Sequence, residues 1–266
     1  MTSLIFDGSF QPTWTQTGGT SGPFGPYTTW NCLPQPDSLV IVPASSLPGN
    51  RPGHAGKFTV KAGAAYDCGG NQHTMIAKTI SGLPGVINEA WYGWSTMLDP
   101  SWQPQGPGGW EHWGHFMERT SFTVPNTGLF LDISLSNQDV YVLNMNRWPE
   151  TLILPSAEHT KNVWHDWMFH VKWALDNTGF IEVYHKNMSQ LTYTMIYSLK
   201  NIATLYPNQD PGYFMNRWGI YRSSLSKSTQ ILYILNPKIG TARADVEYGG
   251  HAECPVLTCN ITLPGE

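Results

Sequence analysis

The chain has 266 residues, a formal net charge of −4 at pH 7, 26 Gly and 20 Pro, and only 13% of its residues are charged. This composition argues against a helical protein and against simple disorder. The charge gives no overall attraction to nucleic acid or to an anionic membrane, and no run of 18 apolar residues predicts a transmembrane helix.

The first half of the chain predicts short strands separated by turns. Gly, Pro, Asn and Asp clusters interrupt runs of apolar and β-branched residues, a pattern typical of strands joined by tight loops. Phe58 and Val60 alternate with Lys57, Thr59 and Lys61, which predicts one buried and one polar face. The predicted strands lie in residues 1–10, 39–42, 51–64, 73–80 and 89–98, and a Pro/Gly-rich loop follows over 99–110.

The second half contains the strongest local pattern, NVWHDWMFHVKWALDNTGFIEVYHKN at 162–187. Two alternating runs flank the turn sequence DNTG, which predicts an antiparallel hairpin. Residues 111–122 are ambiguous between strand and helix, whereas GLFLDISL and DVYVLNM read as strands. A further strand is expected at 230–235, and a last edge strand in DVEYGGHAECPVLTCNITL.

Strands at roughly ten-residue spacing with Gly, Pro and Asn turns are typical of a β-sandwich or jelly roll. The sequence therefore predicts an all-β, single-domain jelly-roll sandwich of two antiparallel sheets over residues 1–266. Its core is expected at about residues 6–240, with a C-terminal edge segment at 241–266.

Four cysteines, Cys32, Cys68, Cys254 and Cys259, allow three pairings if all are oxidised, but we expect free, half-buried thiols. Their spacing fits no zinc signature, and the histidines of HWGH would point to opposite faces of a strand. We expect no metal site from these motifs. The start MTSLIFDGSF lacks the features of a secretory signal, so an exported form would have lost one or would leave by another route, such as inside a virus particle.

The stretch YFMNRWGIYRSS, residues 213–224, carries the main functional signal. It places Arg217 and Tyr221 four residues apart around a Gly, and a bulge at Gly219 would bring both polar groups to one concave face. An Arg can bind a carboxylate through two hydrogen bonds, and a Tyr phenol can pass a proton. The alternative is an interior strand whose aromatic residues pack and whose Arg reaches solvent.

The segments RPGHAGKFTVKAGA, EAWYGWSTMLDPSW, the 162–187 hairpin and YFMNRWGIYR, in this order, resemble the polysaccharide lyases of the heparin lyase I and glucuronan lyase type. The resemblance runs from about Phe6 to Ser224, and its specific parts are the hairpin and WGIYR. It implies a β-jelly roll whose concave groove binds an acidic polysaccharide and cleaves it by β-elimination.

The resemblance also implies site residues. Tyr221 matches the catalytic Tyr, and Arg217 stands where a Lys is usual. His115 and Met117 stand where the family tends to have Gln and His, although a shifted register would bring in His112. Lys78 is the cation near the position of an Arg. At three of the four expected positions, the residue differs from the one usual in the family. The resemblance therefore predicts the fold more firmly than the catalysis.

Two functions follow. As an eliminating lyase, the protein would use Arg217 or Arg119 to neutralise the uronate carboxylate, His115 or Tyr221 to abstract the proton, and Tyr221 to protonate the leaving oxygen. As a binding module, it would hold sugars without cleaving them, and this second function is slightly favoured because the catalytic positions depart. The expected substrate-binding residues are Arg119, His112, Trp218, Lys78 and Lys172.

The expected partner is an acidic or cell-surface polysaccharide, with other virion proteins as further partners if the chain is a bacteriophage minor tail protein. That location, in a virion or outside the cell, rests on an analogy at the level of the fold. No nucleic acid, membrane insertion or obligatory cofactor is expected, while a calcium ion in the sandwich, as in some relatives, is left open.

Overall fold

The computed structural model describes residues 4–14, 21–31, 37–63, 71–79, 89–104, 110–118, 131–136, 138–144, 148–204, 214–226 and 228–249. These residues form sixteen strands, a 3-10 turn at Ala44–Ser46 and the short helix α1 at Arg243–Val246. The strands are β1 (Leu4–Asp7), β2 (Ser21–Phe24), β3 (Tyr27–Asn31), β4 (Leu39–Pro43), β5 (His54–Val60), β6 (Gln72–Thr79), β7 (Glu89–Leu98), β8 (Glu111–Glu118), β9 (Leu131–Ser136), β10 (Asp139–Asn144), β11 (Trp148–Leu154), β12 (His165–Lys172), β13 (Gly179–Asn187), β14 (Thr194–Ile202), β15 (Phe214–Arg222) and β16 (Gln230–Gly240).

The strands build two eight-stranded sheets. The first sheet has the order β14-β13-β12-β7-β16-β5-β4, with β1 also paired to β16, and the second has the order β11-β10-β9-β8-β15-β6-β3-β2. The pairings in the described part of the chain are all antiparallel. The predicted fold class, an all-β sandwich of two antiparallel sheets, is confirmed.

Aromatic side chains fill the space between the sheets. Trp94 of β7 stacks on Phe169 of β12 with ring centroids 4.9 Å apart and planes 5° apart. Phe116 of β8 meets Tyr92 edge-on at 4.8 Å, and Trp218 of β15 approaches Trp94 at 6.2 Å. Since β8 and β15 belong to the second sheet and β7 and β12 to the first, these rings join the two sheets through apolar burial.

The predicted hairpin is confirmed as β12 and β13, with a continuous antiparallel ladder from His165 opposite Asn187 to Lys172 opposite Phe180. Trp167, Phe169 and Val171 of β12 face the core, as their alternation indicates. Residues 111–118 form a strand, which resolves the ambiguity of that segment in favour of β structure.

Strand β14 and the C-terminal segment are among the segments that differ from the sequence-based expectation, as are β2, β3 and β11. Strand β14 has mostly exposed residues, so it lacked the apolar alternation that predicts a strand. In the C-terminal segment, residues 243–246 form α1 instead of a strand, because the Asp245 carboxylate accepts the backbone N–H groups of Thr241 and Ala242 and stabilises a turn. The rest of that segment and all four cysteines lie outside the described residues. Within the described part, no helix is long and apolar enough to cross a membrane.

Candidate functional site

Strand β15 lies in the middle of the second sheet, between β6 and β8. In the ladder, Tyr221 is directly opposite His73 of β6 and His112 of β8. Residues opposite each other on neighbouring antiparallel strands share one face of the sheet. The pairing therefore places a phenol between two imidazoles.

The predicted bulge at Gly219 is present. The ladder between β15 and β8 changes register between Trp218 and Tyr221, and Gly219 has a φ angle of +137°. A Cβ atom there would lie 2.2 Å from the carbonyl oxygen of Thr74, so the position requires glycine. Trp218 and Ile220 face the core, while Arg217 and Tyr221 are half-buried on the opposite, outer face.

Four side chains surround the ring of Tyr221. The Asn71 amide Nδ2 donates a hydrogen bond of 2.9 Å to the Tyr221 Oη. The ring centroid of Tyr221 lies 5.6 Å from that of His73, 5.9 Å from that of His112 and 4.9 Å from that of Trp110. The phenol therefore has an amide donor at its oxygen, two groups that can carry protons beside it, and an aromatic wall.

Arg217 occupies a different part of the same face. At about 3.3 Å per strand residue, its Cα atom lies roughly 13 Å from that of Tyr221. Its Nε contacts the Met215 sulfur at 3.2 Å, in the direction away from Tyr221. The Arg217 side chain therefore lies farther along the strand than the Tyr221 phenol.

The structure distributes the other predicted residues widely. His112 joins Tyr221, and the backbone of His115 lies opposite Arg217. The side chain of His115 and the whole of Arg119 lie outside the described residues.

Three predicted binding residues lie away from the cluster. Trp218 has none of its surface exposed, which contradicts its prediction as a substrate-binding residue, because alternation along β15 points its side chain into the core. Lys78 is opposite the buried Asn216, and its Nζ lies near the Pro26 carbonyl oxygen at 3.4 Å and 5.1 Å from the centre of the Phe6 ring. Lys172 lies on β12 of the other sheet, opposite Glu89.

Sequence reasoning missed Asn71, His73 and Trp110 as members of the site. Asn71 immediately precedes β6, His73 is the second residue of β6, and Trp110 immediately precedes β8. The sequence contained no signal for their proximity to Tyr221, since register between distant strands sets it. Among the described residues, no group of three or more His, Cys, Asp or Glu side chains is placed to hold a metal ion.

Comparison with protein families finds a match over residues 13–236 to the family described as polysaccharide lyase. The chain belongs to the polysaccharide lyase family. Comparison with curated protein sequences finds no match.

Solved structures of similar fold include two lyases and a glucanase. An endo-β-1,4-glucuronan lyase from the fungus Trichoderma reesei is 18% identical, with a TM-score of 0.62, over 92% of this chain and 98% of that one. A PL-14 alginate lyase from Aplysia kurodai is 9% identical, with a TM-score of 0.54, over 77% and 88% of the two chains. A GH131 β-glucanase catalytic domain from Podospora anserina is 13% identical, also with a TM-score of 0.54, over 89% and 95%.

At such low identities the structural likeness shows the fold alone, and it confirms the jelly roll predicted for this chain. Because the β-glucanase shares the fold, the fold does not by itself select elimination. The chemistry has to be argued from the residues around Tyr221.

Proposed function

We propose that this polysaccharide lyase cleaves a uronate-containing polysaccharide by β-elimination at Tyr221. The arrangement that supports the proposal is the outer-face cluster in which the Tyr221 phenol is bound by Asn71 and flanked by His73 and His112. A binding module needs aromatic faces and hydrogen-bond donors, but it does not need a phenol set between two imidazoles.

β-Elimination from a uronate has three chemical requirements. A donor must stabilise the negative charge that develops on the carboxylate when the C5 proton is removed. A base takes that proton, the electron pair forms the C4–C5 double bond, and the C4–O bond breaks. An acid then protonates the leaving oxygen.

The cluster can meet all three requirements. Tyr221 has a proton to give to the leaving oxygen, while His73 and His112 are both candidate bases. Asn71 offers amide N–H groups to the reacting carboxylate. Arg217 binds the carboxylate of another sugar along the chain, since its side chain leans away from Tyr221.

An acidic polysaccharide is the substrate class that we propose. Two structures of similar fold are named as glucuronan lyase and alginate lyase, which act on polymers of uronic acids. The cationic Arg217 on the outer face suits a polyanionic chain, whereas the β-glucanase among the similar structures acts on a neutral glucan.

The test is the appearance of an unsaturated, ultraviolet-absorbing product when the protein is incubated with glucuronan, alginate or another polyuronate. Tyr221→Phe removes the phenolic proton and should abolish the product. Tyr197→Phe, on the edge strand β14 of the other sheet, is the matched control and should keep full activity. Product formation by Tyr221→Phe at the wild-type rate would rule out this mechanism.

We also propose, from the sequence, that the chain acts on host cell-surface polysaccharide as a component of a bacteriophage tail. The abundance of Trp, Tyr, Gly and Asn supports this proposal. Mass spectrometry of purified phage particles should detect the chain in stoichiometric amounts. Its presence only outside particles would exclude a tail protein.

A further inference from the structure

Two neighbouring rows of side chains cross β6, β15 and β8. The outer row is His73, Tyr221 and His112, and the inner row, one residue along each strand, is Gln72, Arg222 and Glu111. Successive strand residues point to opposite faces, so the inner row lies inside the sandwich directly behind the outer row.

The inner row is polar although it is buried. Gln72 is 1% exposed, and both Arg222 and Glu111 are 0% exposed. The nearest core positions on β15, Trp218 and Ile220, are apolar. A buried charged network pays a large desolvation cost that apolar side chains of similar volume avoid, so burial alone does not explain the inner row.

Arg222 connects β15 to β6 of its own sheet and to β16 of the first sheet. Its Nε donates to the Gln72 Oε1 at 2.7 Å, across the ladder to β6. Its Nη1 donates to the Gln230 Oε1 at 2.9 Å and to the Ser228 carbonyl at 2.7 Å, and its Nη2 donates to the Lys61 carbonyl at 3.0 Å. Gln230 belongs to β16 of the first sheet, so one guanidinium bridges the two layers.

The bulge explains why β15 benefits from such an anchor. The regular ladder to β8 is interrupted between Trp218 and Tyr221. Fewer ladder hydrogen bonds therefore restrain the backbone immediately before Tyr221. Arg222 is the next residue. Its hydrogen bonds hold the peptide after Tyr221, and through Gln72 they hold the segment that carries Asn71 and His73.

We propose that Arg222 and Gln72 are positioning residues, which hold the Tyr221 phenol in register with Asn71 and His73. This inference rests on the proposed elimination at Tyr221. Neither residue touches the substrate; both act through the backbone of β15 and β6.

Two single substitutions of Gln72 test the proposal. Gln72→Ala removes the acceptor of the Arg222 Nε, and misplacement of the phenol should lower kcat by up to about 100-fold with little change in KM. Gln72→Glu keeps an acceptor oxygen at the same place and should restore most of kcat. A purely structural role would instead lower the melting temperature while kcat of the folded enzyme stays at the wild-type value.

A second variant addresses the case in which a lone substitution leaves buried charges without partners. The triple variant Gln72→Leu, Glu111→Leu, Arg222→Met replaces the whole inner row by apolar side chains, which proteins often tolerate without loss of stability. It should remain folded and lose kcat to the same extent as Gln72→Ala. Wild-type kcat in this variant would overturn the proposal.

The matched control is the buried ion pair between Arg51, in the loop before β5, and Asp166 of β12 in the first sheet, where the Arg51 Nη2 lies 3.0 Å from the Asp166 Oδ2. Replacing it by Arg51→Met and Asp166→Leu removes a similar buried guanidinium away from Tyr221. This variant should keep kcat. An equal loss of kcat in the control and in the triple variant would show that the inner row has no special connection to the site.

A readout that does not need activity separates this proposal from the proposed function. With 3-fluorotyrosine incorporated, the ¹⁹F resonance of residue 221 is assigned by its loss in Tyr221→Phe. Gln72→Ala should shift this resonance, and the Arg51/Asp166 control should not. If the wild type cleaves no polyuronate, the proposed elimination is wrong, but the ¹⁹F measurement still tests the positioning role of Gln72 and Arg222. An unshifted resonance in Gln72→Ala would overturn that positioning role.

Discussion

At the scale of single residues, two tryptophans near Tyr221, Trp218 on β15 and Trp110 in the loop before β8, have opposite roles. Trp218 is buried between the sheets, whereas Trp110 is half-buried and forms a wall beside Tyr221 and His112, with ring centroids 4.9 Å and 4.7 Å away. An aromatic face next to the phenol suits stacking on a sugar ring. The residue that offers this face therefore comes from the loop before β8, and not from β15.

Replacing Trp110 by Ala should raise KM for the polyuronate by roughly tenfold, because a stacking contact contributes up to about 1.5 kcal/mol. Trp110→Phe keeps an aromatic face and should recover much of the loss. Steady-state kinetics on wild type and both variants provide the measurement. An unchanged KM in Trp110→Ala would show that this wall does not contact the substrate.

Trp218→Ala should behave differently, because it empties a large core volume between β15 and β7. We expect it to lower the free energy of unfolding by about 3–5 kcal/mol, as is usual for truncating a buried Trp. Denaturant unfolding measures this loss. A variant of wild-type stability would contradict the core position of this side chain.

At the scale of the element, the bulge in β15 decides which side chains share the outer face. Gly219 is the residue that permits it, since the backbone there has positive φ and Thr74 passes within 2.2 Å of the position of a Cβ atom. The sequence was sufficient to predict this bulge, because an isolated Gly inside an aromatic strand is a strong local signal.

Gly219→Ala should destabilise the protein by at least about 1–3 kcal/mol, since it adds backbone strain to a steric clash. It should also lower kcat, because relief of the clash displaces Tyr221. Gly63→Ala is the matched control: Gly63 also has positive φ, at +68°, but no atom lies within 4 Å of its Cβ position. A loss of stability no larger than in the control would contradict the close approach of Thr74.

At the scale of the whole molecule, three buried histidines tie the two sheets together. The His165 Nδ1 and the His185 Nε2, on β12 and β13 of the first sheet, are hydrogen-bonded at 2.9 Å. His159 packs on His165 at 4.6 Å and on Trp113 of the second sheet at 5.0 Å. Its Nδ1 and the Gln138 carbonyl oxygen are 3.0 Å apart, so it also holds the loop before β10.

Burial lowers the pKa of each of these imidazoles. The pKa of His165 falls to about 4 and that of His185 to about 3, mainly through desolvation, and the pKa of His159 lies well below its ordinary value for the same reason. Asp166 opposes the shift of His165, and Arg51 adds to it. The folded protein therefore keeps all three rings neutral at pH 7.

The unfolded chain binds protons at these histidines near pH 6.5, whereas the folded chain does not. The free energy of unfolding is therefore highest above that pH and falls as the pH drops towards 4. Each histidine contributes about 1.4 kcal/mol per pH unit within this window. In His185→Gln, the glutamine amide can still donate to the His165 Nδ1 but does not titrate. This variant should therefore show a smaller decrease in the free energy of unfolding as the pH falls. Denaturant unfolding between pH 4 and pH 7 measures it, and an equal slope in wild type and His185→Gln would contradict the buried neutral state.

The sequence by itself determined the all-β class and the hairpin of β12 and β13, and it offered the bulge at Gly219 and the shared face of Arg217 and Tyr221 as one of two interpretations. Each of these depends on local periodicity and turn chemistry, which act over a few residues. The resemblance to polysaccharide lyases also needed only short segments in the right order.

Only the tertiary structure decided which residues surround Tyr221. His73 and Asn71 lie about 150 positions before it in the chain, and antiparallel register alone brings them together. The arrangement of the strands in two sheets also placed Lys172 on the sheet that does not carry Tyr221. Pairing between distant strands is set by packing of the whole sandwich, which no short segment encodes.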